Sequence, residues 1–201
     1  MQIETFVLGD LQTNCYLLSA DTQPRAIIID PADDGDFLND ELLRRQLTLE
    51  AVVLTHGHFD HCLGLLSLQA AWQMPIWLHN ADQFLLKQAA ASAKHWLGRS
   101  VDPVPANTHD LATQSKLNWL GGTWQIIPTP GHTPGSVCLL HEESKTLFSG
   151  DTIFADGGVG RTDFSYSNGK KMGASLRLLR QLAHTNHYRQ VYAGHGDSFC
   201  P

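Results

Sequence analysis

The sequence predicts an α/β fold in which two mixed β-sheets pack face to face, with helices on the outside. The order of the elements leads to this prediction. Strands come first, then alternating helices and strands, then a second run of strands, and finally one helix and one strand. The two halves therefore look alike in outline. The chain has 201 residues, which is long enough to bury the core that one such domain, residues 1–201, requires.

Short segments that are apolar or alternate apolar and polar residues predict the strands, and Gly, Pro, Asn or Asp residues bound many of them. In the first half the predicted strands are residues 2–8, 14–19, 25–31, 51–56 and 74–79. In the second half they are residues 116–120, 123–129, 136–141, 146–150 and 189–194.

Longer segments with apolar residues at helical spacing predict the first two helices. Residues 33–47 begin with acidic capping candidates, and the apolar face we expect there consists of Phe37, Leu38, Leu42 and Leu43. A second, short helix is predicted at residues 62–72.

The longest helix is predicted over residues 80–97, with Asn80 as its N-cap and Gly98 at its end. Trp96, near that end, is expected to pack in the core or under a lid rather than to contact a substrate. Residues 99–110 contain two prolines and no clear period, so we expect a loop there.

The last helix is predicted over residues 172–183. Its apolar face would consist of Met172, Leu176, Leu179 and Leu182.

Charge and hydropathy exclude several classes of protein. The formal net charge is -6 and no basic stripe is present, so binding to nucleic acid is not expected. No apolar run reaches the roughly 18 to 20 residues that a membrane span needs. The N-terminus lacks the features of a signal peptide, so we expect a cytoplasmic protein. The four scattered cysteines suit small buried thiols better than a disulfide framework.

The segment THGHFDH, residues 55–61, carries the strongest chemical signal. It follows an apolar strand and precedes a helix, so His56, His58, Asp60 and His61 crowd the carboxyl end of that strand. Desolvated imidazoles need polar partners, and imidazole and carboxylate are ordinary ligands of zinc and iron. The segment therefore predicts part of a metal site.

More ligands are expected from other strand ends, because one loop rarely completes such a site. His132, Asp151 and His195 each lie next to a glycine after an apolar strand. The ligand count suggests two adjacent divalent ions. One would be held by His56, His58 and His132, the other by Asp60, His61 and His195, with Asp151 bridging both.

These motifs resemble those of the metallo-β-lactamase-fold hydrolases, whose signature is HxHxDH followed by isolated His, Asp and His residues. The resemblance covers nearly the whole chain and implies an αββα sandwich with the metals at one edge, between the sheets. Zinc is the expected metal, and iron or manganese are the alternatives. Within the family, TNCYL, THGHFDH, PTPGHTPGS, SGDTIF and GVGRTDF are similar to the compact glyoxalase II-like proteins.

That resemblance implies hydrolysis of a small-molecule thioester such as S-lactoylglutathione. Asp60 would be the catalytic residue that orients the attacking water and accepts its proton. Arg161 would lie where related enzymes place a basic residue near the substrate, although an ion pair with Asp163 is an equal alternative. The chain stops six residues after His195, without the C-terminal helical segment that grips glutathione in the glutathione-specific enzymes.

A second function stays open at this point. Mononuclear iron persulfide dioxygenases share the fold and a GRTDF segment like residues 160–164. By the same resemblance, their iron uses the positions of His56, His132 and Asp151, and a site with two His and one carboxylate suits non-haem iron.

Overall fold

The computed structural model describes residues 1–201, and its eleven strands form two sheets. The first sheet contains β1 Gln2–Leu8, β2 Thr13–Ser19, β3 Arg25–Ile29, β4 Thr48–Val53, β5 Ile76–Leu78 and β6 His109–Asp110. The second contains β7 Lys116–Trp119, β8 Gly122–Pro128, β9 Val137–His141, β10 Thr146–Gly150 and β11 Gln190–Ala193. Strands β1 to β3 are antiparallel and β3 to β6 parallel, while β7 to β10 are antiparallel and β11 is parallel to β10. Both sheets are therefore mixed, as predicted.

Helices cover the outer face of each sheet. The four α-helices are α1 Gly35–Arg44, α2 Leu65–Ala71, α3 Gln83–Leu97 and α4 Gly169–His184. One apolar cluster joins the first sheet to α1, α2 and α3, and another joins the second sheet to α4. This layered arrangement confirms the predicted αββα sandwich.

Strands of the first sheet contribute side chains to two apolar layers, one on each face of the sheet. Side chains alternate across a strand, so neighbouring residues point to opposite faces. In β2, Tyr16 and Leu18 lie in the cluster between the sheets, whereas Cys15 and Leu17 lie in the cluster beneath the helices. Because both faces are covered, β2 is apolar along most of its length rather than alternating. Trp124 of β8 is among the largest fully buried side chains of the inter-sheet core.

Helix α1 begins where its acidic residues predicted. The Asp34 carboxylate accepts a 3.0 Å hydrogen bond from the Phe37 amide and so caps the first turn. Leu38 and Leu42 are buried, but Leu43 is 65% exposed. The prediction that Leu43 belongs to the apolar face was wrong, because each residue turns the helix by about 100° and moves Leu43 away from the face that Leu38 and Leu42 share.

The start of α3 also differs from the prediction. Asn80 is not its N-cap but begins a 3₁₀ turn, Asn80–Asp82, and its amides donate to the Asp110 carboxylate at 3.0 and 2.7 Å. The helix ends as predicted at Gly98, whose φ of 71° is left-handed. The predicted loop 99–110 ends in the short strand β6, which pairs with β5.

Two smaller expectations can be compared with the structure. On α4, Met172 and Leu179 are buried, while Leu176 and Leu182 are only partly covered. Three of the four cysteines are buried thiols, and Cys200 is exposed. None of the helices combines the length and the apolar character that crossing a bilayer would require.

The strand directions place one set of strand ends at a common edge. In the first sheet, β3 and β4 run parallel and end together. In the second sheet, β8, β10 and β11 run in one direction, because β9 is antiparallel to both β8 and β10. The loops after β4, β8, β10 and β11 carry the predicted ligands.

Candidate metal centre

Three imidazoles from two loops converge at this edge. His56 and His58 follow β4, and His132 follows β8. Their ligand atoms all lie within 4.8 Å of one another. Nδ1 of His58 is 3.1 Å from Nε2 of His56 and 2.9 Å from Nε2 of His132. The three predicted members of the first ligand group are therefore brought together.

A second group lies beside the first. A 3₁₀ turn, Phe59–His61, aims Asp60 and His61 at the loop after β11, which carries His195. Oδ2 of Asp60 is 3.5 Å from Nε2 of His61 and 3.4 Å from Nε2 of His195. These are the three residues that the sequence assigned to a second ion.

Asp151 faces both groups. Its Oδ2 atom is 3.5 Å from Nε2 of His132 and 3.6 Å from Nε2 of His195, while its Oδ1 atom is 3.5 Å from Nε2 of His61. The loop approaches so closely that a Cβ at Gly194 would collide with the Asp151 carboxylate, so only glycine fits there. The structure brings all seven predicted residues into one cluster.

The nitrogen that each imidazole turns away from the centre has its own polar partner. Such outer partners fix the tautomer and orientation of a ligating histidine. The partner atoms are Thr55 Oγ1 for His56, Tyr166 Oη for His58, Asp30 Oδ2 for His61, the Arg161 carbonyl for His132 and the Leu11 carbonyl for His195. None of these contacts was predicted from the sequence.

Two buried atoms at the centre have no hydrogen-bond partner at all: Nε2 of His61 and Oδ1 of Asp151. Buried polar atoms without partners are rare and costly. An imidazole nitrogen and a carboxylate oxygen, each without a hydrogen-bond partner and facing the other, are the kinds of atom that bind a divalent cation. The residues therefore fit a metal, and the His/Asp cluster is suited to divalent ions.

The first group is held as neutral imidazoles. Burial lowers the pKa of His56 well below its usual value, and the neighbouring histidines lower it further. Burial, followed by the charge of His132, also lowers the pKa of His58 to about 3. Neutral imidazole is the form that binds metal.

The second group is rich in negative charge. Burial alone would lower the pKa of His61, but the carboxylates of Asp60, Asp151 and Asp30 outweigh it and raise that pKa to about 10. Burial alone would raise the pKa of Asp60, but His61, His195 and a hydrogen bond from Thr13 lower it well below its usual range. Asp60 is therefore held in its ionised form.

A cavity of about 450 Å³ opens onto the cluster. Five members of the ligand cluster line the cavity: His58, Asp60, His132, Asp151 and His195. The remaining lining residues include Leu11, Phe59, Leu85, Trp96, Phe154, Val159, Arg161, Phe164 and Tyr166. A cavity of this size is typical of small-molecule sites.

Arg161 lies in this lining, as the resemblance implied, but it also makes the alternative contact. Its guanidinium donates two hydrogen bonds to Asp163, at 2.9 and 2.8 Å. The same group lies 4.7 Å from the centre of the Phe164 ring and 5.9 Å from that of Trp96. The geometry therefore allows both predicted roles of Arg161, contact with a substrate and the ion pair with Asp163.

Comparison with known proteins decides the family. The sequence model of the metallo-beta-lactamase superfamily matches residues 8–195 of this chain. The chain belongs to the metallo-β-lactamase superfamily. It is 34% identical to a probable metallo-hydrolase, YqgX, of Bacillus subtilis over 94% of this chain and 87% of that protein. It is 32% identical to hydroxyacylglutathione hydrolase GloC of Haemophilus influenzae over 98% of this chain and 92% of that protein.

Solved structures of this superfamily agree with the fold. The crystal structure of BLEG-1 B3 metallo-beta-lactamase superposes with a TM-score of 0.88 and 31% identity, covering 99% of this chain and 94% of that one. The di-iron-bound form of TTHA1623 superposes with a TM-score of 0.85 and 31% identity, covering 98% and 94%. Membership of this superfamily and the His/Asp cluster make the chain a metal-dependent hydrolase of the metallo-β-lactamase fold.

Proposed function

We propose that this hydrolase cleaves thioesters at a centre of two divalent metal ions. One observation carries the proposal: the carboxylate of Asp151 lies between two three-residue groups, 3.5 Å from Nε2 of His132 in the first and 3.5 Å from Nε2 of His61 in the second. His56, His58 and His132 would hold one ion, and Asp60, His61 and His195 the other. Asp151 would contact both.

Bound metal ions would supply two effects, activation of water and polarisation of a carbonyl group. Two divalent ions bound at such a centre lower the pKa of water to about 7 and polarise a carbonyl oxygen. Asp60 lines the cavity, and the Thr13 hydroxyl donates a 2.9 Å hydrogen bond to its Oδ2 atom. Thr13 therefore restrains the carboxylate, and we assign Asp60 the role of orienting the attacking water.

Thioester hydrolysis needs only water as the second reactant. The oxygen of water joins the acyl carbon, the carbon–sulfur bond breaks, and the products are a carboxylic acid and a thiol. A thiol has a pKa near 8.5, so its thiolate leaves readily and needs little help from a general acid. This fits a cavity that contains no lysine and in which every titratable group other than Arg161 and Tyr166 belongs to the ligand set.

Similarity to the GloC hydrolase of Haemophilus influenzae supports a thioester as the substrate, and an S-lactoylglutathione-like compound is the first to test. Arg161 is proposed to contact the substrate from the cavity wall. The ligand atoms are nitrogen and oxygen, which suit zinc first, while the di-iron form of TTHA1623 keeps iron in the test along with manganese.

The iron persulfide dioxygenase is the alternative. The fold is shared with ETHE1 from Myxococcus xanthus at 24% identity and a TM-score of 0.71, which bears on the fold alone. A mononuclear iron centre would need His56, His132 and Asp151 but not His61 or His195. The two functions therefore differ in their dependence on the second group.

One experiment separates them. Protein purified without added metal is analysed for its metal content and assayed for S-lactoylglutathione hydrolysis and for oxygen uptake with glutathione persulfide. We expect hydrolysis, and we expect His195→Ala to abolish it. Oxygen uptake that survives in His195→Ala, together with no hydrolysis by the zinc-, iron- or manganese-loaded protein, would replace the proposed function with the dioxygenase.

A further inference from the structure

Much of the exposed part of the cavity wall is apolar. Seven large hydrophobic side chains are exposed on the whole protein, and three of them line this one cavity: Leu11, Trp96 and Val159, at 45%, 54% and 41% exposure. We call these three residues the rim. Exposed apolar residues gathered at one opening mark a binding surface, whereas single scattered ones do not. The expectation that Trp96 packs in the core or under a lid does not fit this exposure.

The cavity wall also carries little positive charge. Arg161 is the only lysine or arginine in the lining, and Asp163 already pairs with its guanidinium through two hydrogen bonds. A glutathione thioester carries two carboxylates and one ammonium group, and a carboxylate placed against this wall would lose hydration. Charged groups that lose water without a paired partner are unfavourable. The wall offers such a ligand at most one cation and much apolar surface.

We infer that the rim selects thioesters that carry an apolar, preferably aromatic, group and at most one carboxylate. This inference rests on the proposed thioester hydrolysis and names its substrate class. The indole of Trp96 and the ring of Phe164 provide flat surfaces near the Arg161 guanidinium, whose central carbon lies 5.9 and 4.7 Å from the two ring centres. A planar apolar group placed against the rim buries surface that water otherwise covers.

Four thioesters test the inference. They are S-lactoylglutathione, the lactoyl thioester of N-acetylcysteamine, the phenylacetyl thioester of N-acetylcysteamine and the lactoyl thioester of benzyl mercaptan. The last two place the aromatic ring on the acyl side and on the thiol side. We expect one of them to exceed S-lactoylglutathione in kcat/KM by about tenfold or more, since burying a ring contributes on that order.

Variants locate the effect. Trp96→Ala is expected to raise KM for the preferred aromatic thioester about tenfold and to leave the lactoyl N-acetylcysteamine thioester within about twofold. Val159→Ala should act in the same direction. Val7→Ala is its control, because Val7 is also exposed but lies on β1, outside the cavity lining.

Faster turnover of S-lactoylglutathione than of all three neutral thioesters would overturn the inference and leave the proposed function standing. Equal losses on all four substrates in Trp96→Ala would also overturn it. Hydrolysis of none of the four by the metal-loaded protein would overturn the proposed function itself, and the inference with it.

A different observation concerns a buried carboxylate away from the ligand cluster. Asp82 is completely buried, and hydrogen bonds hold its carboxylate. Its Oδ2 atom accepts a 3.0 Å hydrogen bond from the Gly57 amide and a 2.6 Å one from the Thr133 hydroxyl. Its Oδ1 atom accepts a 2.7 Å hydrogen bond from the Gly135 amide.

These donors belong to the two loops that supply the first histidine group. Gly57 lies between His56 and His58, and Thr133 follows His132. A Cβ at Gly57 would lie 3.1 Å from Cβ of Asp82, and one at Gly135 would lie 2.8 Å from its Cγ. The two loops therefore approach the carboxylate as closely as glycine allows.

We propose that Asp82 is a positioning residue that fixes the spacing between the His56–His58 loop and the His132 loop. It touches none of the three imidazoles. An isolated buried carboxylate is expensive, and three donated hydrogen bonds are what make it tolerable there. Asp82→Asn would turn an amide donor toward at least one of these donors and separate the loops.

Cobalt(II) serves as the probe, because its visible spectrum reports ligand geometry independently of turnover. We expect Asp82→Asn to weaken cobalt binding, measured by competition with a chelator, about tenfold to a hundredfold and to change the spectrum. Asp110→Asn is the matched control, since Asp110 holds the same 3₁₀ turn through Asn80 but contacts neither ligand loop.

Thr133→Val and Thr133→Ser keep the test decisive if Asp82→Asn does not fold. Loss of the hydroxyl in the valine variant should weaken cobalt binding severalfold, and serine should restore it. Wild-type affinity and spectrum in Thr133→Val, or in folded Asp82→Asn, would overturn the positioning role.

Discussion

The Thr13 hydroxyl donates a 2.9 Å hydrogen bond to the Asp60 carboxylate, although 47 positions separate the two residues in sequence. Thr13 begins β2 and also forms an isolated β-bridge with His195. One residue at the start of a strand thus contacts two members of the second ligand group. This contact ties the second group to the rigid core of the first sheet.

The Thr13 contact predicts a change in catalysis with little change in stability. Thr13→Val keeps the shape of the side chain but removes the donor, so Asp60 is less restrained. We expect kcat to fall about tenfold, as for other groups that orient metal ligands. Thr13→Ser retains the hydroxyl and should preserve kcat. Equal kcat in the valine and serine variants would contradict the role of the hydrogen bond.

Asp60 itself should matter more for turnover than for folding. Asp60→Ala removes a proposed metal ligand and the acceptor proposed to orient water, while the core strands on either side should remain packed. We expect hydrolysis to fall about a hundredfold or more. Thermal melting of the metal-free variant should stay within a few degrees of the metal-free wild type. Near-normal hydrolysis at saturating metal would remove Asp60 from the catalytic machinery.

Metal stoichiometry tests the division of ligands. The wild type saturated with zinc, iron or manganese should contain about two ions per chain, since each three-residue group with Asp151 resembles one half of a two-metal site. His195→Ala removes a member of the second group only and should retain about one ion. Elemental analysis after removal of free metal measures both values. A single tightly bound ion in the saturated wild type would refute the binuclear arrangement.

The metal-free protein should lose stability as pH rises above neutrality. Nearby carboxylates outweigh burial and raise the pKa of His61 to about 10, from an ordinary value of 6.5. His195 is shifted in the same direction, chiefly by Asp60 against the effect of its burial. A raised histidine pKa contributes stability that is fully present below the unfolded pKa and is lost as pH rises toward the folded one.

Urea unfolding of chelator-treated protein at about pH 7 and pH 8.5 measures this effect, below the range in which most tyrosines and lysines titrate. The unfolding midpoint should be lower at the higher pH. His61→Asn should weaken this dependence. A midpoint that rises with pH in the metal-free wild type would contradict the prediction.

The fold was predictable from sequence because strand and helix periods are local properties. One of the two failures lies where a distant residue decides the local structure. Asn80 is a residue type that often caps helices. Its amides instead donate to the carboxylate of Asp110, and Asn80 begins a 3₁₀ turn. The prediction for Leu43 failed for a local reason, since the turn of the helix already places it about 100° from Leu42 and away from the buried face.

The ligand cluster was predictable for a similar reason. Each of its members follows a strand end and stands next to a glycine or another ligand, which is visible in the sequence. The residues that restrain the ligands are not marked in this way. Asp30 directly precedes Pro31 at the end of the predicted segment RAIIIDP, so its position near a strand end was a signal of its role. Asp82 gave no such signal, since only the packed loops show what it contacts.

Two roles of Arg161, substrate contact and an ion pair with Asp163, can be distinguished by experiment. Its ion pair with Asp163 is formed, but both side chains are mostly exposed, at 57% and 66%. Exposed ion pairs contribute little to stability, because water screens the charges and ordering two long side chains costs entropy. The pair therefore gives a weak reason for Arg161 to be present, whereas its place in the cavity wall gives a stronger one.

Three variants decide the matter. If Arg161 contacts the substrate, Arg161→Lys should raise KM with a smaller change in kcat, since lysine keeps the charge but loses the planar fork. Asp163→Ala should lower KM for a thioester that carries a carboxylate, because it frees the guanidinium from its partner. Melting temperature and metal content should not move in any of the variants. If the ion pair is instead the reason for Arg161, then Arg161→Ala and Asp163→Ala should destabilise the fold alike. In that case KM of the folded protein would stay at the wild-type value, and an unchanged KM in Arg161→Ala would end the substrate-binding role.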